Sequence, residues 1–207
     1  PGQLQGPTGV AVDPEGNIGV HDGWLNGRLQ VFRLSDGAHI RSMCSRGCDN
    51  GQLRGCGDVA FDDEGNLVVS DSDNCRIQVL RYRDGLHLRT IGSPGAGDGQ
   101  FRCPRGIAFD RSGHLVVADG HNHRVLVLRY RDGAHVRTIG SKGSGDGQFY
   151  NPSGVAIDGD GNIVVHDGYT NGRIQVLRLS DGAHLRSFGS RGSGPGQLSN
   201  YGGVAFD

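Results

Sequence analysis

A five-residue string of the form G-[VI]-A-[VFI]-D recurs along this chain at a nearly fixed interval, and that interval restricts the fold more than any other feature. It reads GVAVD from residue 9, DVAFD from 58, GIAFD from 106, GVAID from 154 and GVAFD from 203, so the period is 48 or 49 residues. Fixed self-similarity at this length is the mark of a repeat architecture. Each full unit holds four short apolar segments separated by turn residues. In the third unit these are GIAFD (106–110), HLVVAD (114–119), RVLVLRY (124–130) and HVRTIGS (135–141). Asp-Gly pairs at 36–37, 84–85, 132–133 and 181–182 stand between the last two segments. Asp-Gly between apolar runs marks a tight antiparallel hairpin, because glycine adopts φ > 0 without steric cost. No stretch carries a helical period. Four antiparallel strands in about 48 residues make a propeller blade rather than a solenoid coil. Both faces of the third-strand segment are apolar, with Val125 and Val127 on one and Leu126 and Leu128 on the other. Such a strand packs between two neighbouring sheets.

The expected architecture is therefore all-β: a β-propeller of four-stranded antiparallel blades over 9–57, 58–105, 106–153 and 154–202, with 203–207 as the first strand of a fifth. Gly is unusually abundant at 38 residues, which the turns account for. Units 1 and 4 share a longer loop (HDGWLNGR against HDGYTNGR), and the start of unit 5 echoes unit 2. That three-blade super-repeat predicts that the four blades belong to a six-bladed propeller.

The strings G-[VI]-A-[VFI]-D, D-x-x-G-[NH], N-x-R-[IVL]-x-V and S-x-G-x-G-x-G-Q-[FL] together resemble the NHL-repeat family, including the propellers attached to tripartite-motif proteins. The third string appears at Asn26-Gly27-Arg28, Asn74-Cys75-Arg76, Asn122-His123-Arg124 and Asn171-Gly172-Arg173. The resemblance implies a single propeller region over 1–207 that binds protein or RNA, with a distant branch that is a metal-dependent amidating lyase.

The residues themselves point to binding rather than catalysis. Asp22, Asp71, Asp119 and Asp167 each precede an arginine at Arg28, Arg76, Arg124 and Arg173, and a pair repeated in every unit reads as a structural tie. His21 and His166 have Ser70 and Ala118 at the equivalent positions, so no ring of histidine ligands forms, and no metal or cofactor is expected. The five cysteines, Cys44, Cys48, Cys56, Cys75 and Cys103, match no zinc spacing and read as thiols ahead of a disulfide. The net charge of −1 argues against a general electrostatic grip on nucleic acid, and no apolar run is long enough to span a membrane.

A protein partner is therefore expected, with the chain acting as a scaffold or assembly subunit, and RNA is the alternative. The expected binding face consists of the loops after the second and fourth strands, where the units diverge: Trp24, Arg54, Arg102, Arg105, His121, Asn122, His123, Tyr150, Tyr169 and Tyr201. Aromatic and arginine side chains on loops are the usual anchors of interfaces. The rival surface is the outer rim, where Arg33, Arg41, Arg81, Arg89, Arg129, Arg137, Arg178 and Arg186 would form a repeated basic belt.

Overall fold

The computed structural model describes residues 2–13, 15–200 and 202–206. The repeated segments pair as the sequence predicts. Blade 1 is Gly9–Val12, Asn17–Asp22, Arg28–Arg33 and His39–Met43. Blade 2 is Val59–Phe61, Leu67–Asp71, Arg76–Leu80 and His87–Ile91. Blade 3 is Pro104–Phe109, His114–Asp119, Arg124–Arg129 and Ala134–Ile139. Blade 4 is Gly154–Ile157, Asn162–Asp167, Arg173–Arg178 and His184–Phe188. Strand order within each sheet follows chain order, and every neighbouring pair is antiparallel. The fold is an all-β propeller architecture. Its only helical pieces among the described residues are the short 3-10 turns Ser72–Asn74 and Gly120–Asn122.

The chain divides into two compact units, Pro1–Pro94 with blades 1 and 2, and Gly95–Asp207 with blades 3 and 4. In the first, Leu29, Val31, Met43 and Leu53 of blade 1 pack against Val59, Leu67, Val69 and Leu80 of blade 2. In the second, Val125, Val127, Ile139 and Phe149 meet Val155, Ile163, Val165 and Leu177. Each joint thus uses one apolar face from each blade, and burial of such side chains contributes roughly 1.5–3 kcal/mol apiece. The leading glycine of the repeated string lets the first strands approach closely. A Cβ on Gly106 would lie 2.8 Å from the Cα of Gly154, and one on Gly9 would lie 2.6 Å from the Cα of Asp58.

The turns hold the blades by local chemistry. Asp13 Oδ1 accepts from the Glu15 and Asn17 backbone N–H groups at 2.9 and 2.7 Å, and Asp62, Asp110 and Asp158 do the same in their blades. The hairpin at Asp132-Gly133 has four residues between strands, 130–133, rather than the tight two suggested by the dipeptide. Gly133 (φ 73°) donates to the Arg129 carbonyl at 2.9 Å, and Asp132 accepts from the Ala134 N–H at 3.1 Å. Residues 203–206 form no strand. In every complete blade the first strand is paired by the second strand that follows it.

Candidate functional site

The loop after each second strand is built around a buried carboxylate. Asp22 is fully enclosed and accepts four bonds: Gln5 N–H at 2.7 Å, Asn26 Nδ2 at 2.9 Å, Arg28 Nε at 2.9 Å and Gln30 Nε2 at 3.1 Å. Asp71 receives the same set from Arg54 N–H, Asn74, Arg76 and Gln78. Asp119 receives it from Arg102 N–H, Asn122 and Arg124, and Asp167 from Tyr150 N–H, Asn171 and Arg173. The arginine reaches further. Arg76 donates to the Asp49 and Gln52 carbonyls at 2.7 and 3.1 Å, and Arg173 donates to those of Gly145 and Gln148 at 2.7 and 2.8 Å. These carbonyls belong to the connection from the preceding blade. The repeated Asp–Arg pair is therefore a tie between blade and connection, as its repetition suggested, and charge-assisted bonds of this kind are about twice as strong as neutral ones.

Electrostatics distinguish Asp22 from Asp119. Burial opposes the charge on Asp22, but the bonds from Gln5, Asn26 and Arg28 outweigh it and hold its pKa below the ordinary value. Burial wins at Asp119, whose pKa is raised despite bonds from Arg102 N–H, Asn122 and Arg124. Deeper burial is the first cause of the raised value at Asp119, and blade 3 also has Leu126 where blades 1, 2 and 4 have Gln30, Gln78 and Gln175. The glutamine Nε2 donates to Asp22 and Asp71.

On this frame the loops diverge. Trp24 is 63% exposed, and its neighbour Leu25 is also exposed. Trp24 leans on Gly6, where an added Cβ would come within 2.9 Å of the Trp24 Cβ. Tyr169 occupies the equivalent place in blade 4 and is likewise exposed. In the second unit, His123 and Tyr150 bring their rings to 5.0 Å, and Lys142 Nζ lies 5.4 Å from the centre of the Tyr150 ring. The Asn151 N–H donates to His123 Nδ1 at 3.1 Å. Burial, followed by the charges of Lys142 and His121, lowers the His123 pKa, which keeps that ring neutral. Arg102 and His121 are exposed beside this group. Arg105 is half-buried, with Nε 3.4 Å from Cys103 Sγ, and Asn122 is committed to Asp119. Arg54 is exposed in the first unit, 3.9 Å from Asp73. Tyr201 lies outside the described residues.

Sequence reasoning missed Leu25 and Lys142 on this face, although Lys142 is the chain's sole lysine. It also missed that three cysteines stand in left-handed backbone positions. Cys44 (φ 66°) replaces the glycine found at 92, 140 and 189, Cys75 (φ 54°) that at 27 and 172, and Cys103 (φ 62°) that at 6 and 55. An alignment of the units shows these exchanges. Cys44, Cys48 and Cys75 are free thiols, and burial pushes the Cys44 thiol up to about 12, well away from a reactive thiolate.

The rim is less basic than its arginine count suggests. Arg33, Arg81, Arg129 and Arg178 each pair with the hairpin aspartate three residues on, at 2.7 Å. Arg41 lies over the Tyr82 ring at 4.3 Å and donates to its carbonyl. His21 and His166 are buried and bonded through Nδ1 to Thr8 at 3.1 Å and Ser153 at 2.7 Å respectively. Among the described residues no three His, Cys, Asp or Glu side chains are grouped to hold a metal ion, and no helix is long and apolar enough to cross a membrane.

The model of the NHL repeat matches residues 53–80, 101–128 and 149–177. No curated protein matches the chain. Among solved structures, a chain of the nidogen/laminin complex is similar at 23% identity and a TM-score of 0.68, over 90% of this chain and 64% of that one. A Bacteroides caccae protein of unknown function is similar at 16% identity and a TM-score of 0.67, over 87% and 66%. Streptogramin B lyase is similar at 14% identity and a TM-score of 0.62, over 88% and 54%. The chain spans between about half and two-thirds of the length of these structures, and at such identities the likeness is one of fold.

Proposed function

The chain is an NHL-repeat propeller, and from that premise we propose that it is a non-enzymatic binding module: a scaffold that takes a protein partner on the loops following its second strands. The observation that carries this reading is Trp24. A large aromatic side chain stands 63% exposed, beside exposed Leu25, on a loop whose backbone is fixed by a buried carboxylate with four donors. An exposed aromatic on a rigid loop loses little entropy on binding and fills a partner's recess, which is the profile of an interface anchor. Uniform ties beneath, with variable tips above, allow repeated blades to distinguish one partner from another. The similar fold in the nidogen/laminin complex is in keeping with this reading.

A second reading has its own observation. His123, Tyr150 and Lys142 place two rings and a cation together in the second unit, a combination suited to stacking a single-stranded RNA base. One titration separates the two. Trp24 is the chain's single tryptophan, so its emission reports directly on the first loop. A protein partner captured on the immobilised chain should shift that emission, and Trp24→Ala should weaken its binding by about 2–4 kcal/mol without moving the thermal transition. Binding that survives Trp24→Ala and Tyr169→Ala and is lost with Arg137 and Arg186 would place the site on the rim. RNA affinity that falls steeply with salt and depends on Tyr150 would favour the second reading.

A further inference from the structure

Asparagine followed by glycine occurs three times, at 26–27, 50–51 and 171–172. In this pair the following backbone nitrogen reaches the asparagine side chain most easily, because glycine offers no Cβ to obstruct it. Two of the three side chains are pinned. Asn26 Nδ2 donates to Asp22 at 2.9 Å, and Asn171 Nδ2 donates to Asp167 at 2.8 Å and to the Gly143 carbonyl at 3.0 Å. Asn50 differs. It lies exposed in a turn of the connection from blade 1 to blade 2, and no hydrogen bond holds its side chain among the described residues. The Gly51 N–H donates to Gln78 Oε1 at 2.9 Å, so its nitrogen becomes free to attack when this exposed turn opens locally.

The repeats show what the reaction would install. Asp98 and Asp146 occupy the place of Asn50 in the next two connections. Asp98 Oδ1 lies 3.7 Å from His135 Nε2, and Asp146 Oδ2 lies 3.6 Å from His184 Nδ1. The matching histidine of blade 2 is His87, whose Nε2 meets Thr90 Oγ1 at 2.9 Å, as His135 meets Thr138. The connection rests on the hairpin alike in both. A Cβ on Gly51 would lie 4.0 Å from the Gly85 carbonyl oxygen, and one on Gly99 would lie 3.8 Å from that of Gly133. We propose that Asn50–Gly51 is a self-modifying site, where loss of ammonia places a carboxylate opposite His87 and gives blade 2 the pair that blades 3 and 4 carry by sequence. The Gly51 nitrogen bonds to Asn50 Cγ as the Cγ–Nδ2 bond breaks, and the Gly51 proton leaves with the side-chain nitrogen as ammonia. Water then opens the resulting ring. Attack at Cγ gives aspartate, and attack at the main-chain carbonyl gives isoaspartate, which routes the chain through Cγ. No oxidant or reductant enters the balance.

Mass spectrometry of proteolytic peptides, on the whole folded chain held at mildly alkaline pH and sampled over days, tests this. The peptide with Asn50 should gain the mass that replaces NH2 by OH at least about tenfold faster than those with Asn26 and Asn171, whose side chains must first be unpinned. Aspartate and isoaspartate should appear together, because the ring opens at either carbonyl. Asn50→Ser should abolish the change in that peptide. Burial and then the Arg76 charge hold the His87 pKa below its ordinary value. In Asn50→Asp the His87 imidazole should therefore titrate at a higher pH than in the unmodified chain, since an adjacent anion favours its charged form. An intact Asn50, or equal rates at the three asparagines, would overturn the site. Aspartate as the sole product would overturn the ring, and an unmoved His87 titration would overturn the pairing.

Discussion

The loops of blades 1 and 4 and those of blades 2 and 3 solve one problem with different numbers of residues. All four must carry the chain from a buried aspartate to the arginine that bonds it. In blades 2 and 3 a 3-10 turn does so, and the residue before the arginine, Cys75 or His123, takes a left-handed conformation. In blades 1 and 4 one more residue is fitted, Gly27 (φ 58°) or Gly172 (φ 64°) supplies the left-handed position, and Trp24 or Tyr169 is extruded into solvent. The tie beneath is conserved in geometry while its covering is free to change. One inserted residue is thus enough to turn a closed turn into a display site.

The comparison breaks most severely if the shared tie is removed. Asp22→Ala and Asp71→Ala should each cost about 3–5 kcal/mol in denaturant unfolding, because they leave a partly buried guanidinium and several donors without their shared acceptor. A cost below 1 kcal/mol would show that the carboxylates are incidental. The left-handed position comes next. Gly27→Ala should cost about 1–3 kcal/mol, since the new Cβ would lie 2.6 Å from the Arg46 Cα and closer still to the Leu53 carbonyl. Cys75→Gly should gain up to about 1 kcal/mol by relieving an L-residue at φ 54°. His123→Gly should gain less, because it also loses the bond to Asn151 N–H and the Tyr150 contact.

Titration sharpens the contrast between blades 1 and 3. The depressed Asp22 pKa means stability that is fully present above its unfolded pKa and lost as pH falls through the folded one. The raised Asp119 pKa acts in reverse: ionisation opposes folding as pH rises from the unfolded value through the folded one. At pH 7, Asp119→Asn should therefore cost less than Asp22→Asn, and the gap should narrow in acid. Leu126→Gln, which restores the donor present in the other blades, should bring the Asp119 carboxyl pKa down in an NMR titration. The smallest expected effect is Trp24→Ala on stability, within about 0.5 kcal/mol by thermal melting, as for an exposed side chain with no structural task.

The blades were legible because their signal is periodic. Apolar alternation, Gly-rich turns and a fixed interval agree with one another in every unit, so a slip in one blade would contradict the other three. The aspartate–arginine tie was legible for the same reason, and its strand-to-loop position told its role. Much less could be read where the structure depends on long-range approach. His123 and Tyr150 are separated by more than half a blade in sequence, and only the stacking of blades 3 and 4 brings their rings together. The rim looked basic because arginines were counted without the aspartates three residues on, a spacing that was available in the sequence. Residues 203–206 show the limit of local pattern: the repeated string is present, yet these residues form no strand.

The arginine that reaches back to the preceding connection has a mechanical meaning. Arg76 grips the carbonyls of Asp49 and Gln52, so a load applied along the chain meets a cross-tie at the seam between blades before it meets the strands inside one. Rupture of that seam frees a whole repeat at once. With starts at residues 58 and 106, one repeat would pay out about 160–170 Å of extended chain. A repeat chain tied this way should yield under tension in blade-sized steps rather than by gradual stretching, which single-molecule extension would read as increments of one repeat.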